Sequence, residues 1–320
     1  MNRRNQILAG ILLLQMILVA IVFWPRGSAE TAGQALFSQV EVDQITKFAV
    51  TAAGGELTQL VKDDAGWVLA DTDGFPVLTE TLEPVLDQIV GLVGDRAVAT
   101  TTSSQKRLKV TADDYEYLVE FELADGSQHR LYVGTSPSYG STYVRAGDQD
   151  EVYLSGLKSS DLGTGPSSWI DRVYLSVPTD EATALTLTNK QGTFQFEKSG
   201  DTWTMTGLPA GETLDTSKVT AILSSVSSLS MMRPLGKAEK PEYGLLEPLA
   251  VLEVTTPGEI YVLKVGAASA EDSTYIISSS ESPYYVRVSQ YSLTRLVEND
   301  QESFLVQPTP VPTDQPTATP

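Results

Sequence analysis

FELADGSQHRLYVG (residues 121–134) and EVTTPGEIYVLKVG (residues 253–266) decide the reading of this chain. Each holds two runs in which apolar and polar residues alternate, joined by Asp125-Gly126 in one and Pro257-Gly258 in the other. Alternation of period two around such a turn predicts a β-hairpin. Tyr117, Val119, Phe121 and Leu123 lie on one side of the outgoing run, and Leu131 and Val133 return beside them. Both segments end in Val-Gly and lead to Ser141-Thr142-Tyr143 or Ser273-Thr274-Tyr275, so one segment overlays the other.

Two further pairs of segments match in the same order. ELTQLVKDDAGWVL (56–69) lies over GTFQFEKSGDTWTM (192–205), placing Gln59 on Gln195, Lys62 on Lys198 and Trp67 on Trp203. Each reads as two short strands around a turn, at Asp63-Asp64-Ala65-Gly66 and at Ser199-Gly200-Asp201. Leu82, Val85, Leu86, Ile89, Leu92 and Arg96 then match Val219, Ile222, Leu223, Val226, Leu229 and Arg233. That spacing is one face of an amphipathic helix. Thr79 or Thr81 can cap it in the first copy, with Pro84 near its start and Gly94 as a stop, and Asp215 or Thr216 in the second. Further strands are expected at Thr142 to Arg145, Val152 to Leu154, Tyr275 to Ser278 and Tyr284 to Val288. The expected class is α+β, as two tandem repeats, each an antiparallel sheet or meander with one amphipathic helix packed on it. Repeat 1 is placed at 45–178 and repeat 2 at 179–306.

The two ends read differently. Residues 7–24, ILAGILLLQMILVAIVFW, carry no charge and only Gln15 as a strongly polar member. As a helix they would span about 27 Å, against the ~30 Å hydrocarbon core of a bilayer. A single N-terminal transmembrane helix is expected within residues 1–29, with the lipid bilayer as its partner. Arg3 and Arg4 before it favour a cytoplasmic N-terminus, a single pass and an extracytoplasmic bulk. Cleavage as a signal peptide stays open, because Gly27-Ser28-Ala29 offers small residues where a peptidase would read. Residues 30–44 read as a polar tether. Residues 307–320, QPTPVPTDQPTATP, read as an extended, solvated Pro/Thr-rich tail.

Composition excludes several chemistries. The 320 residues include 22 Lys+Arg against 41 Asp+Glu, a net charge of −19, with no Cys and one His. Cys nucleophiles, disulfides, Cys zinc sites and iron–sulfur clusters are therefore ruled out, as is any site with two His ligands. Such an acidic surface repels phosphate backbones, so no nucleic-acid partner is expected.

The Trp ahead of a helix, Tyr243-Gly244-Leu245 with Pro248 before a strand pair, the Val-Gly hairpin ends, the Ser-Thr-Tyr strands and Trp169-Ile170-Asp171-Arg172 between the copies together resemble the bacterial domain-of-unknown-function family 4340. The resemblance runs from about residue 45 to 306. Lys109-Val110-Thr111 stands in the first copy where the second has Tyr243-Gly244-Leu245. The resemblance implies an extracytoplasmic accessory subunit associated with ABC-type transporter permease components, and it brings no catalytic residue.

No catalytic, cofactor-binding or metal-binding residue is assigned from the sequence. Ser155-Gly156-Leu157-Lys158 matches S-x-x-K, and Ser160-Asp161 and Gly163-Thr164-Gly165 echo the companion motifs of penicillin-recognising enzymes. Their crowding after a strand points to a surface loop. His129 sits on the return arm of a hairpin, where an exposed strand position accounts for it. Asp71-Thr72-Asp73-Gly74 opens like a calcium loop but lacks the rest of the pattern, and Asp148, Asp150 and Glu151 cluster at another turn. Recurrence of Trp67, Trp203, Tyr143 and Tyr275 at strand positions suits a core, and Ser224, Ser225, Ser227 and Ser228 suit a solvated helix face. The first functional reading is a membrane-anchored extracytoplasmic binding or accessory protein without an enzymatic role. The alternative is an extracytoplasmic hydrolase or carbohydrate-processing enzyme using carboxylates or Ser155 and Lys158.

Overall fold

The computed structural model describes residues 33–307. In chain order the first part carries β1 (Gln34–Ala35), β2 (Ile45–Ala52), β3 (Leu57–Asp63), β4 (Gly66–Leu69), β5 (Phe75–Pro76), α1 (Thr79–Val90), β6 (Val93–Gly94), α2 (Thr102–Leu108), β7 (Tyr117–Leu123), β8 (Gln128–Val133), β9 (Thr142–Ala146) and β10 (Tyr153–Ser155). The remainder carries β11 (Val173–Leu175), β12 (Ala184–Asn189), β13 (Gly192–Ser199), β14 (Thr202–Met205), α3 (Thr216–Val226), β15 (Leu229–Ser230), β16 (Arg233–Gly236), β17 (Ala250–Thr255), β18 (Ile260–Ser269), β19 (Thr274–Ser279), β20 (Ser282–Ser289) and α4 (Gln290–Glu298).

Two antiparallel eight-stranded sheets organise these strands, in the orders β10-β9-β8-β7-β2-β3-β4-β5 and β14-β13-β12-β17-β18-β19-β20-β16. From the Trp-bearing hairpins onward, β4-β3-β2-β7-β8-β9-β10 follows the same succession as β14-β13-β12-β17-β18-β19-β20. The register agrees too: Lys62 faces Trp67 across one hairpin and Lys198 faces Trp203 across the other. The sheets differ at the eighth strand, which is β5 beside β4 in one and β16 beside β20 in the other. Both anticipated turns close these hairpins. Asp125 accepts from the Ser127 amide at 2.8 Å with Gly126 at φ 87°, and the Thr256 amide reaches the Glu259 carbonyl at 2.9 Å.

The α+β expectation, with one helix per repeat, is corrected by this architecture. Strands dominate, because long hairpins rich in Val, Ile, Tyr and Thr suit a pleated surface. Helices do not come one to a sheet: four are present among the described residues, two of them unforeseen. α2 is short and polar and buries only Gln105, so it has no apolar stripe to betray it. α4 buries Leu293, Leu296 and Val297 within nine residues, too short a run for a clear period. Among the described residues no helix is long and apolar enough to cross a membrane. The run at 7–24 lies outside those residues, as do residues 308–320 of the expected tail. Within the segment read as a tether, Gln34–Ala35 pair with β6, and Leu36, Phe37 and Val40 are buried.

Helix ends also moved. α1 begins one residue after Leu78, whose carbonyl receives the Thr81 and Leu82 amides, and it stops at Val90. Gly94, expected as the stop, instead lies in β6, where a Cβ would come within 2.6 Å of the Tyr153 ring. Asp215 does cap α3, accepting the Ser217 amide at 3.0 Å. The Ser217 hydroxyl on the same carboxylate is the main reason its pKa falls below the usual carboxylate range.

The described residues form two compact units: 33–44 with Val85–Val119 and His129–Asp161, and Ile45–Pro84 with Glu120–Gln128 and 162–307. The first unit buries Val85, Leu86, Ile89 and Leu92 of the α1 region and a cluster of Val110, Tyr132 and Val152. Among the described residues its buried Arg145 has no carboxylate partner. Its guanidinium donates to the carbonyls of Val110 at 2.7 Å, Gln149 at 2.9 Å and Ala146 at 3.3 Å, and it lies 4.5 Å from the Tyr132 ring centre. Carbonyl dipoles and an aromatic face supply the compensation that a buried cation requires.

The second unit is centred on Trp169, which is 1% exposed and packs edge-on against Phe48 at 5.8 Å. Its indole N–H donates to the Gly163 carbonyl, and its own carbonyl accepts the Leu78 amide at 2.7 Å. Phe194 and Phe196 pack on Phe304 behind α3 and α4. Tyr174 is buried with its hydroxyl donating to the Tyr284 carbonyl at 2.7 Å and accepting the Ser279 amide at 3.0 Å. Burial pushes its pKa above the ordinary phenol value.

Candidate functional site

A cavity of about 330 Å³ lies within the second unit. Its walls come from Leu57, Thr58 and Gln59 of β3, from Leu69 to Thr72 after β4, from Pro166, from Arg233 to Leu235 of β16, and from Lys240 and Tyr243. The volume is near the lower end of small-molecule sites, which run from ~300 Å³ upward.

The sequence fixes these walls by local means. After β4 the chain turns sharply, with Asp71 at φ 49° and Asp73 at φ 53°, a left-handed conformation that Asp tolerates better than most residues. Thr72 braces the turn by donating to the Leu69 carbonyl at 3.0 Å. Asp73 then reaches β16, where its carboxylate accepts the Lys237 amide at 2.7 Å. Gly236, at φ 100°, leaves room for it, since a Cβ there would lie 2.5 Å from the carboxylate oxygen. Tyr284 closes the same joint from β20. Its hydroxyl donates to the Gly74 carbonyl at 2.7 Å, its ring packs on Phe75 at 4.7 Å, and the Lys237 ammonium sits 4.8 Å above it.

Tyr243 is positioned by a short turn that starts at Pro241 and ends at Gly244, φ 65°. The ring is 5% exposed, packs on Tyr285 at 5.4 Å and has the Lys240 ammonium 5.8 Å from its centre. Glu239, in the same loop, turns its carboxylate toward the Tyr285 hydroxyl. Burial, followed by that carboxylate, raises the Tyr285 pKa. The charged groups lining the cavity are thus Arg233, Lys240 and Asp71. Among the described residues neither Arg233 nor Lys240 has an ion-pair partner. This arrangement can hold a small polar ligand against an apolar and aromatic floor.

The residues singled out in the sequence are dispersed. Ser155 donates its hydroxyl to the Thr142 carbonyl at 3.1 Å and accepts the Leu157 amide at 3.3 Å, so backbone groups occupy it, and Lys158 is exposed without joining it. His129 is half-buried with its ring edge-on to Phe37 at 5.8 Å, a more enclosed place than an exposed strand position. Asp71 and Asp73 serve the turn and the joint described above. Near Asp148, the Asp150 carbonyl accepts from Gln105 and the Gln149 carbonyl from Arg145. Among the described residues no three His, Asp or Glu side chains gather in a way that could hold a metal ion. Trp67, Trp203 and Tyr275 are buried, and Tyr143 packs against the Val110 cluster. Ser225 and Ser227 return their hydroxyls to the carbonyls of Ile222 and Ser224.

Sequence reasoning missed Arg233 and Lys240 as a pair. Arg233 had appeared only as the last member of a matched helix register, and Tyr243 only as a landmark. No periodicity signals that they face Leu57 to Gln59, nearly 180 residues earlier.

A family model described as Domain of unknown function (DUF4340) matches residues 67–248, more than half of the chain. The match includes Asp71, Asp73, Trp169, Arg233, Lys240 and Tyr243. No curated protein and no solved structure matches the chain.

Proposed function

We propose, from the premise that the chain belongs to the DUF4340 family, that it is a membrane-anchored extracytoplasmic binding subunit without an enzymatic role, working with an ABC-type transporter permease. The observation that carries this reading is the cavity framed by Arg233, Lys240 and Tyr243, whose adjoining turn is held to the end of β16 and to β20 by hydrogen bonds between side chains and backbone. Walls set in advance suit binding, because less order remains to be imposed when the ligand enters. The uncharged run at 7–24 is the proposed attachment to the bilayer, with Arg3 and Arg4 keeping the N-terminus in the cytoplasm. The shared succession of seven strands supports tandem duplication of one ancestral sheet.

The test is photo-crosslinking in living cells with a reactive residue at Leu246, which is 83% exposed. Capture of a transporter permease in the membrane fraction is expected. Recovery of the chain in the soluble fraction, or a membrane fraction with no permease adduct, refutes the reading.

A further inference from the structure

We propose that the cavity takes an anionic group, a carboxylate or phosphate, borne on a ring or short apolar scaffold; this rests on the binding role proposed above and names the chemistry of its ligand. Glu239 and Glu242 lie in the same loop as Lys240. Glu239 turns to Tyr285, and among the described residues neither Arg233 nor Lys240 has an ion-pair partner where the two line the cavity together.

Arg offers a planar fork of N–H donors that matches two oxygens of a carboxylate or phosphate, and the Lys ammonium adds a third direction of approach. Tyr243 and Leu235 provide the apolar floor, and Leu57, 56% exposed, gives a scaffold a place to lie. Asp71 lines the same cavity, and its carboxylate is an acceptor for hydroxyl groups on the ligand. The volume of about 330 Å³ limits the occupant to about one ring with its charged substituent.

The experiment uses the full chain in mild detergent, titrated with phenyl phosphate, benzoate, inorganic phosphate, benzyl alcohol and benzylamine and followed by calorimetry. Phenyl phosphate and benzoate are expected to bind, and their relative affinities report whether phosphate or carboxylate is preferred. The double variant R233Q/K240Q is expected to weaken the preferred probe about tenfold or more, since charge-assisted hydrogen bonds are the strong ones. Both side chains are exposed, and an unchanged circular dichroism spectrum verifies folding. L57S is expected to weaken the aromatic anions and leave inorganic phosphate unaffected. Retention of full affinity in R233Q/K240Q overturns the proposal. Equal or tighter binding of benzyl alcohol or benzylamine, lost in L57S, overturns the anionic class while sparing the cavity as a binding site. Silence with every probe overturns both.

Discussion

Substituting Gly236 by Ala tests the joint that sets the cavity wall. Two costs are expected. The left-handed backbone at φ 100° disfavours a side chain by about 1–2 kcal/mol. The new Cβ, 2.5 Å from the Asp73 carboxylate oxygen, must also push that carboxylate off the Lys237 amide, losing a bond worth about 1 kcal/mol at an exposed position. The total is roughly 2–3 kcal/mol. Asp73→Ala alone removes only the bond, about 1 kcal/mol. In the double variant the clash has no carboxylate to displace, so the loss stays at roughly 2–3 kcal/mol and falls short of the sum by about 1 kcal/mol. Urea unfolding followed by tryptophan fluorescence gives all four corners of the cycle, with Trp169 in the same unit as reporter. Strict additivity, within about 0.5 kcal/mol, would show that the carboxylate and Gly236 do not meet as described.

Three further outcomes are expected. Asp215→Ala should lower the urea midpoint at pH 7. Because the folded-state pKa of Asp215 is depressed, its contribution is present above the unfolded value of about 3.9 and is lost as the pH falls through the folded value, so wild type and variant should converge in acid. Tyr174 behaves in the opposite sense: its raised pKa gives stability that is complete below about pH 10 and lost as the pH rises through the folded value. Spectrophotometric titration should find a tyrosine ionising above the ordinary phenol range that is missing in Tyr174→Phe, a variant that should also lose about 1–3 kcal/mol from the stranded Tyr284 carbonyl and Ser279 amide. Arg145→Lys should cost about 3 kcal/mol in urea unfolding despite keeping the charge, because an ammonium cannot reach the carbonyls of Val110, Ala146 and Gln149 as the planar fork does. A loss under about 0.5 kcal/mol would mean that charge alone suffices.

Hairpins were legible because their signal is local. Asp125-Gly126 and Pro257-Gly258 specify a turn within four residues, and the alternation on either side needs no knowledge of the rest of the chain. The α3 cap at Asp215 was legible for the same reason. What escaped was structure specified by partners distant in sequence. β16 is a strand because it finds β20, and Arg233-Pro234-Leu235-Gly236 by itself, with a proline in it, argues against one. Leu36, Phe37 and Val40 looked like part of a polar tether until their neighbours were known. The cavity belongs to this second kind. Asp71-Thr72-Asp73-Gly74 stands out for its carboxylates, yet its use is to hold the end of β16, and the cations of the cavity have no motif of their own. A repeat search directs attention to what the copies share, whereas the cavity draws on β16, the strand that has no counterpart in the first sheet.

Arg145 carries a consequence for behaviour away from neutral pH. Carboxylate caps such as Asp215 lose their charge in acid, and phenols such as Tyr174 acquire one in alkali. The three carbonyls that Arg145 gathers do not titrate at all. Tying the segment before β7 to the end of β9 through them gives the first unit a fastening whose acceptors are the same in acid and in alkali.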